Sequence, residues 1–165
     1  MLDSLAIINK VIAEHHTIRG HIKLAGETVN DFEALASARR TYASWSQSSI
    51  QELADTQNKL QQAVSYLSEG LKNHFSLEEE ALSPLLGELL TKALVLEHQG
   101  IRNELAEAKS KIVDTRLEGL SQPELLAAKS DIQQVMASLS HMIEEHASKE
   151  ETILGMMKRA LENMG

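Results

Sequence analysis

The chain of 165 residues contains no cysteine and only two prolines, and aromatic residues make up 3% of it. Without cysteine, disulfides, thiol catalysis, cysteine-ligated zinc and iron–sulfur clusters are all excluded. The scarcity of proline and of aromatic residues argues against a β-sheet protein, whose strands favour aromatic and β-branched side chains. Leucine, alanine, glutamate, glutamine and lysine dominate instead, and this composition favours helices.

The charge and hydropathy pattern restricts the partners of the chain. Lysine and arginine number 16 against 24 acidic residues, so the net charge is −8, which disfavours nucleic acid as a partner. No apolar run approaches the roughly 18 residues of a membrane helix, because Glu88 and Lys92 interrupt the best candidate. The segment 1–10 carries Asp3 and lacks the basic start of a signal peptide. We therefore expect a cytoplasmic protein that binds neither nucleic acid nor membrane.

Apolar residues recur at helical spacing in four segments. These predicted helices cover about 2–28, 48–83, 87–114 and 122–162. Pro84 and Gly87 end the second of them, and the weaker pattern of 30–47 predicts an irregular or short helical insertion. Four long amphipathic helices with short connections predict an all-α fold, an up-down-up-down antiparallel four-helix bundle. The length suits a single domain over 1–165.

The chain also repeats itself. Segment 11–22 reads VIAEHHTIRGHI and segment 94–105 reads LVLEHQGIRNEL, so both contain EHxxIR. Segment 74–84 reads HFSLEEEALSP and segment 146–156 reads HASKEETILGM, so both contain HxxxEE. The order of these motifs indicates that one helical hairpin has been used twice.

Each predicted helix carries polar residues where a core residue is expected. They are His15, His74, Glu78, His98, His146 and Glu150. Carboxylates that face a bundle interior are costly and repel each other unless a cation pairs with them. Because the second and fourth helices run parallel, both His-x-x-x-Glu pairs point the same way, and their carboxylates are placed to bridge two metal ions. Four imidazoles and two carboxylates suit two iron or manganese ions, with zinc as an adventitious occupant.

Other polar residues near these six leave alternatives open. His16 replaces His15 as the inward residue if the first helix is rotated. Four charged residues flank the histidines at matching positions of the repeat and either orient the ligands or form surface ion pairs, namely Glu14, Arg19, Glu97 and Arg102. Glu79 and Glu151 are expected to face solvent or the rim of the site.

The pattern H…HxxxE…H…HxxxE, with two HxxxEE and two EHxxIR segments, resembles the hemerythrin-like (HHE) cation-binding domain family over nearly the whole chain. Oxygen-carrying hemerythrins have a fifth histidine where this chain has Arg102, which cannot ligate a metal. The set of four histidines and two glutamates is more similar to the di-iron domain of the repair-of-iron-centres proteins. The last carboxylate of the oxygen carriers falls five residues after its histidine, which makes Glu151 a rival of Glu150.

This resemblance implies a non-haem di-iron centre, oxo- or hydroxo-bridged, that binds dioxygen, nitric oxide or peroxide for sensing, detoxification or iron-centre maintenance. One alternative is a di-iron oxidoreductase with peroxidase- or catalase-like activity. Another is a metal-free helical interaction module whose histidines are structural or sense pH. No catalytic residue is assigned, and the mixed charge of the exposed faces leaves the oligomeric state open.

Overall fold

The computed structural model describes residues 2–38, 47–114 and 122–164, and no β-strand occurs in these ranges. The helical segments are α1 (Leu2–Ala38), α2 (Gln47–Leu77), a π-helical segment (Glu78–Leu82), α3 (Ser83–Asp114) and α4 (Gln122–Asn163). Helix α1 packs against α2 and α4, and α3 packs against the same two helices. The predicted all-α bundle is confirmed. None of the described helices is long and apolar enough to cross a membrane.

The first helix is longer than the sequence analysis predicted. Helix α1 continues to Ala38, ten residues beyond the predicted end, so the first part of the predicted insertion 30–47 is helical. The segment 29–38 reads VNDFEALASA and contains neither glycine nor proline to stop a helix, while its alanines, glutamate and leucine favour one. The weaker apolar pattern that begins at residue 30 therefore did not mark the end of the first helix. Residues 39–46 of the predicted insertion lie outside the described residues.

The chain reverses direction at Gly87, between the second and third predicted helices. The backbone of Gly87 is non-helical, with φ 78° and ψ 171°, a conformation that is essentially restricted to glycine. Pro84 lies three residues earlier within the helical stretch, in the first turn of α3, where a missing N–H group is tolerated. Of the two residues predicted to end the second helix, Gly87 is therefore the one at which the backbone leaves the helix.

Replacement of Gly87 by alanine is expected to lower the free energy of unfolding by about 1 to 3 kcal/mol, because a β-carbon strains this backbone conformation. Gly20→Ala is the matched control. Gly20 lies in α1 with open space around the position of a β-carbon, and alanine in an exposed helix should stabilise the protein by about 0.5 to 1 kcal/mol. Chemical denaturation of both variants measures the difference. Equal effects of the two substitutions would contradict the strain at Gly87.

The apolar core is divided into two parts along the bundle. The larger cluster includes Ile18, Leu71, Phe75, Ile101 and Ile143. The smaller one consists of the buried residues Ile8, Val11, Leu82 and Leu154 with partly buried neighbours. Between these clusters each helix contributes polar side chains in place of apolar ones, so a polar layer crosses the bundle.

Candidate metal centre

The six polar residues predicted from the sequence lie together in this layer. His15, His74, His98, His146, Glu78 and Glu150 are each at most 5% exposed. The structure also distinguishes the neighbours that the sequence left open, because His16 is exposed and the side chain of Glu151 is 30% exposed. His15 and Glu150 are therefore the residues that face the interior.

Glu78 is at the centre of the layer, and its carboxylate lies beside all four imidazoles. Its Oε2 is 2.8 Å from Nε2 of His98 and 3.7 Å from Nε2 of His146. Its Oε1 is 3.4 Å from Nε2 of His15 and also contacts Nε2 of His74. One carboxylate thus connects side chains from all four helices of the bundle.

Glu150 occupies one side of the layer. Its Oε2 is 3.4 Å from Nε2 of His15 and 3.4 Å from Nε2 of His146. The two carboxylates reach the layer from different helical segments, Glu78 from the π-helical segment that follows α2 and Glu150 from α4. Glu78 begins the π-helical segment, a kind of local widening that is frequent at functional sites.

The arrangement of donor atoms fits cations. The side chains form two groups, and within each group the ligand atoms all lie within 4.8 Å of one another. One group is His15, His74, Glu78 and Glu150, and the other is Glu78, His98 and His146. Glu78 therefore belongs to both groups. Nε2 of these four histidines and both carboxylate oxygens of Glu78 and of Glu150 are buried without a hydrogen-bond partner. Buried polar atoms are rarely left in this state. Eight such atoms converging in one layer match two cations that share Glu78.

The other ring nitrogen of each histidine is hydrogen-bonded to a carboxylate. The Nδ1···Oε distances are 3.0 Å for His15–Glu151, 2.8 Å for His74–Glu14, 2.7 Å for His98–Glu79 and 2.9 Å for His146–Glu97. A neutral imidazole that donates from Nδ1 has the lone pair of Nε2 available for a metal. Carboxylates in this position fix the tautomer and the orientation of metal-ligating histidines.

These hydrogen bonds follow the repeat in the sequence. The glutamate of each EHxxIR segment is hydrogen-bonded to the histidine of the HxxxEE segment on the next helix. The second glutamate of each HxxxEE segment is hydrogen-bonded to the histidine of an EHxxIR segment. The equivalent arginines behave alike, because Arg19 donates to Glu151 at 2.6 Å and Arg102 donates to Glu79 at 3.1 Å. The duplicated hairpin therefore builds the same network on both sides of the layer.

Two neighbouring glutamates have a role that the sequence analysis did not assign. Glu79 and Glu151 were expected to face solvent or the rim; their side chains are 28% and 30% exposed, and each is also hydrogen-bonded to a buried histidine. Their equivalence in the two HxxxEE segments is the sequence signal that could have identified them. Lys149, which donates to Glu97 at 3.1 Å, has no equivalent in the repeat and was missed.

Charges around the layer balance each other when no cation is bound. Burial lowers the pKa of His15, but contacts with Glu150 and Glu78 outweigh it and raise the pKa to about 10. Burial raises the pKa of Glu78, but contacts with the four histidines outweigh it and lower the pKa below its usual range. Burial, together with the charge of Glu78, raises the pKa of Glu150. A proton on His15 thus takes the place of a cation in the layer, and binding of a metal would release it.

A pocket between α3 and α4 reaches this layer. Its volume is about 110 Å³, and its lining includes the apolar Leu90, Leu94 and Ile153 together with the buried His146 and Glu150. The ion pair between Glu97 and Lys149 also borders it. A small molecule that enters here meets the side of the layer formed by His146 and Glu150.

Neutralisation of Glu97 tests whether the outer carboxylates support the layer. Glu97→Gln is expected to weaken metal affinity by about 10- to 100-fold, because the hydrogen bond to His146 loses its charge. Glu88→Gln is the control, since Glu88 is an exposed residue of the same helix. Competition with a chromophoric chelator measures both affinities. If the two variants bind metal equally well, Glu97 has no orienting role.

A comparison of the sequence with protein-family models agrees with this geometry. The model of the hemerythrin HHE cation-binding domain matches residues 6–157, a range that contains the six polar residues and the four carboxylates that bond the histidines. The chain belongs to this family of cation-binding helical domains. Neither the curated proteins nor the solved structures give a match.

Proposed function

We propose that this domain holds two iron ions through the six residues of the polar layer. Glu78 supports this most directly, because one buried carboxylate approaches the imidazoles of all four helices and belongs to both groups of ligand atoms. A mixed set of imidazole and carboxylate ligands suits iron, and manganese is the next candidate. Zinc is an adventitious occupant of the same set.

The two proposed positions differ in how many protein ligands they have. The group of His15 and His74 has four residues, whereas the group of His98 and His146 has three. We therefore place the exogenous ligand at the position with three residues. The pocket between α3 and α4 is lined by His146 of this group and by Glu150 of the other group. It is largely apolar, which suits a small uncharged molecule.

The function that follows is binding of dioxygen, nitric oxide or peroxide, for sensing, detoxification or maintenance of iron centres. The iron would supply the redox chemistry and the position at which such a molecule adds. The chain supplies the ligands, the hydrogen bonds that orient the imidazoles, and apolar walls that limit access of water. A metal-free interaction module is disfavoured because it leaves eight converging polar atoms without hydrogen-bond partners.

Metal analysis of protein purified without added metal tests this function. We expect about two iron atoms per chain. We also expect an optical spectrum that changes on reduction with dithionite and again on exposure to air or nitric oxide. Folded protein that is purified without metal and takes up none when iron is supplied would contradict the proposal. Repeated consumption of peroxide at steady state would instead identify an oxidoreductase at the same centre.

A further inference from the structure

An ion pair joins α3 and α4 at the surface of the bundle. Nζ of Lys149 on α4 is 3.1 Å from Oε1 of Glu97 on α3, and the two side chains are 55% and 39% exposed. The other carboxylate oxygen of Glu97, Oε2, is 2.9 Å from Nδ1 of the buried His146. This Glu97–Lys149 bridge therefore spans the gap between the two helices directly outside a proposed metal ligand.

A pocket lies on each side of the bridge, and both pockets are lined by Glu97, Lys149 and His146. Apart from these three residues, the pocket that contains Leu90 and Ile153 is formed by residues that precede Glu97 and follow Lys149. Leu90 and Ile153 are 44% and 36% exposed, so this pocket has apolar surface at its mouth. The second pocket, of about 170 Å³, is formed by residues that follow Glu97 and precede Lys149. The bridge is therefore the partition between two openings that both reach His146.

Lys149 has a second acceptor on its own helix. Its Nζ is also 3.2 Å from Oε1 of Glu145, one turn earlier on α4. An ammonium that leaves Glu97 therefore remains paired with Glu145, and the bridge opens without leaving the lysine unpaired. Exposed ion pairs contribute little to stability, and exposed side chains change rotamer within nanoseconds. Opening of the bridge is accordingly frequent and requires no movement of a helix.

The equivalent position in the other half of the repeat is apolar. Alignment of segment 146–156 with segment 74–84 places Lys149 opposite Leu77. Leu77 is partly buried and packs against the smaller apolar cluster. The duplicated hairpin thus has a packed apolar side chain in one half and an exposed charged one in the other, which makes the α3–α4 side the one where access can change.

We infer that Lys149 is the gate residue for small molecules that reach His146 between α3 and α4. Bound to Glu97 it closes the gap, and bound only to Glu145 it opens the gap and joins the two pockets. An anion on this route meets the carboxylates of both glutamates, so the gate favours uncharged molecules. What the molecule binds after entry rests on the proposed metal centre, whereas the opening of the bridge does not.

Chemical labelling with diethyl pyrocarbonate tests the gate in protein freed of metal by a chelator. This small uncharged reagent acylates imidazole nitrogen, and peptide mass spectrometry measures the labelling rate of His146 relative to that of His74, its equivalent in the repeat. Lys149→Ala removes the bridge and should raise this ratio about two- to fivefold, the range expected for loss of an exposed ion pair. Glu145→Gln weakens the second acceptor, favours the closed bridge and should lower the ratio about twofold.

Two matched controls and the direction of the effects make the test decisive. Lys92→Ala and Glu162→Gln change exposed residues that line neither pocket and should leave the ratio unchanged. An effect of charge alone has the opposite direction, because loss of a positive charge near an imidazole favours its protonated, unreactive form and loss of a negative charge disfavours it. Unchanged ratios for Lys149→Ala and Glu145→Gln, or changes in that opposite direction, overturn the gate. Circular dichroism establishes that each variant is folded.

Stopped-flow association of nitric oxide with the protein as purified separates this inference from the proposed function. When about two iron atoms are bound per chain, the association rate should follow the same order, fastest for Lys149→Ala and slowest for Glu145→Gln. Protein without iron in which labelling of His146 follows the expected order refutes only the metal centre. Protein with two irons in which neither the labelling nor the association rate changes refutes only the gate.

Discussion

Replacement of Glu78 by glutamine is expected to abolish metal binding at both positions. The carboxylate of Glu78 belongs to both groups of ligand atoms, and glutamine keeps its size while removing the charge and one of its ligand oxygens. Loss of a residue that merely orients a ligand weakens metal affinity by about 10- to 100-fold, and loss of a shared ligand should exceed that. Metal analysis of the purified variant is expected to find less than one ion per chain.

Two further variants control this result. Glu80→Gln changes an exposed glutamate of the same π-helical segment and should keep the full metal content. Glu150→Gln changes a residue that belongs only to the group of His15 and His74, so it should weaken that position more than the other. Full metal content in a folded Glu78→Gln variant would rule out the shared carboxylate. Circular dichroism establishes whether each variant is folded.

Removal of the metal is expected to lower the melting temperature substantially. Without a cation the polar layer contains eight buried nitrogen and oxygen atoms that lack hydrogen-bond partners. A ligand present at a thousand times its dissociation constant contributes about 4 kcal/mol to the free energy of unfolding. For a domain of this size that corresponds to a shift of about 8 to 16 °C.

Thermal melting before and after treatment with a chelator measures this shift. The Glu78→Gln variant provides the control, because a chain that binds no metal should melt at the same temperature in both conditions. Readdition of iron should restore the original melting temperature of the unmodified protein. If verified removal of the metal leaves that temperature unchanged, the polar layer is not stabilised by a cation.

Much of the candidate site was predictable because helical spacing is a local property. A histidine and a glutamate four residues apart lie on the same face of a helix whatever surrounds it, so the pairs of α2 and α4 could be recognised directly. The repeat of EHxxIR and HxxxEE then linked the four helices. The turn at Gly87 was also predictable, because glycine and proline interrupt helices for local steric reasons.

The sequence was less informative where a choice depended on helix rotation. Successive residues of a helix are about 100° apart, so the choices between His15 and His16 and between Glu150 and Glu151 are choices of rotation about the helix axis. The packing of α1 and α4 against their neighbours makes that choice. The same rotation turns the side chain of Glu151 towards His15. These two residues are 136 positions apart in the chain, so no local pattern specifies their contact.

The sequence by itself determined that this is an all-α, four-helix protein with an acidic net charge, and that six polar residues interrupt its apolar stripes. Only the tertiary structure decided which atoms meet. It placed Glu78 beside four imidazoles and paired Nδ1 of each of those four histidines with a carboxylate from another helical segment. Composition and periodicity act along one helix, whereas these contacts join side chains that approach each other only after all the helices have packed.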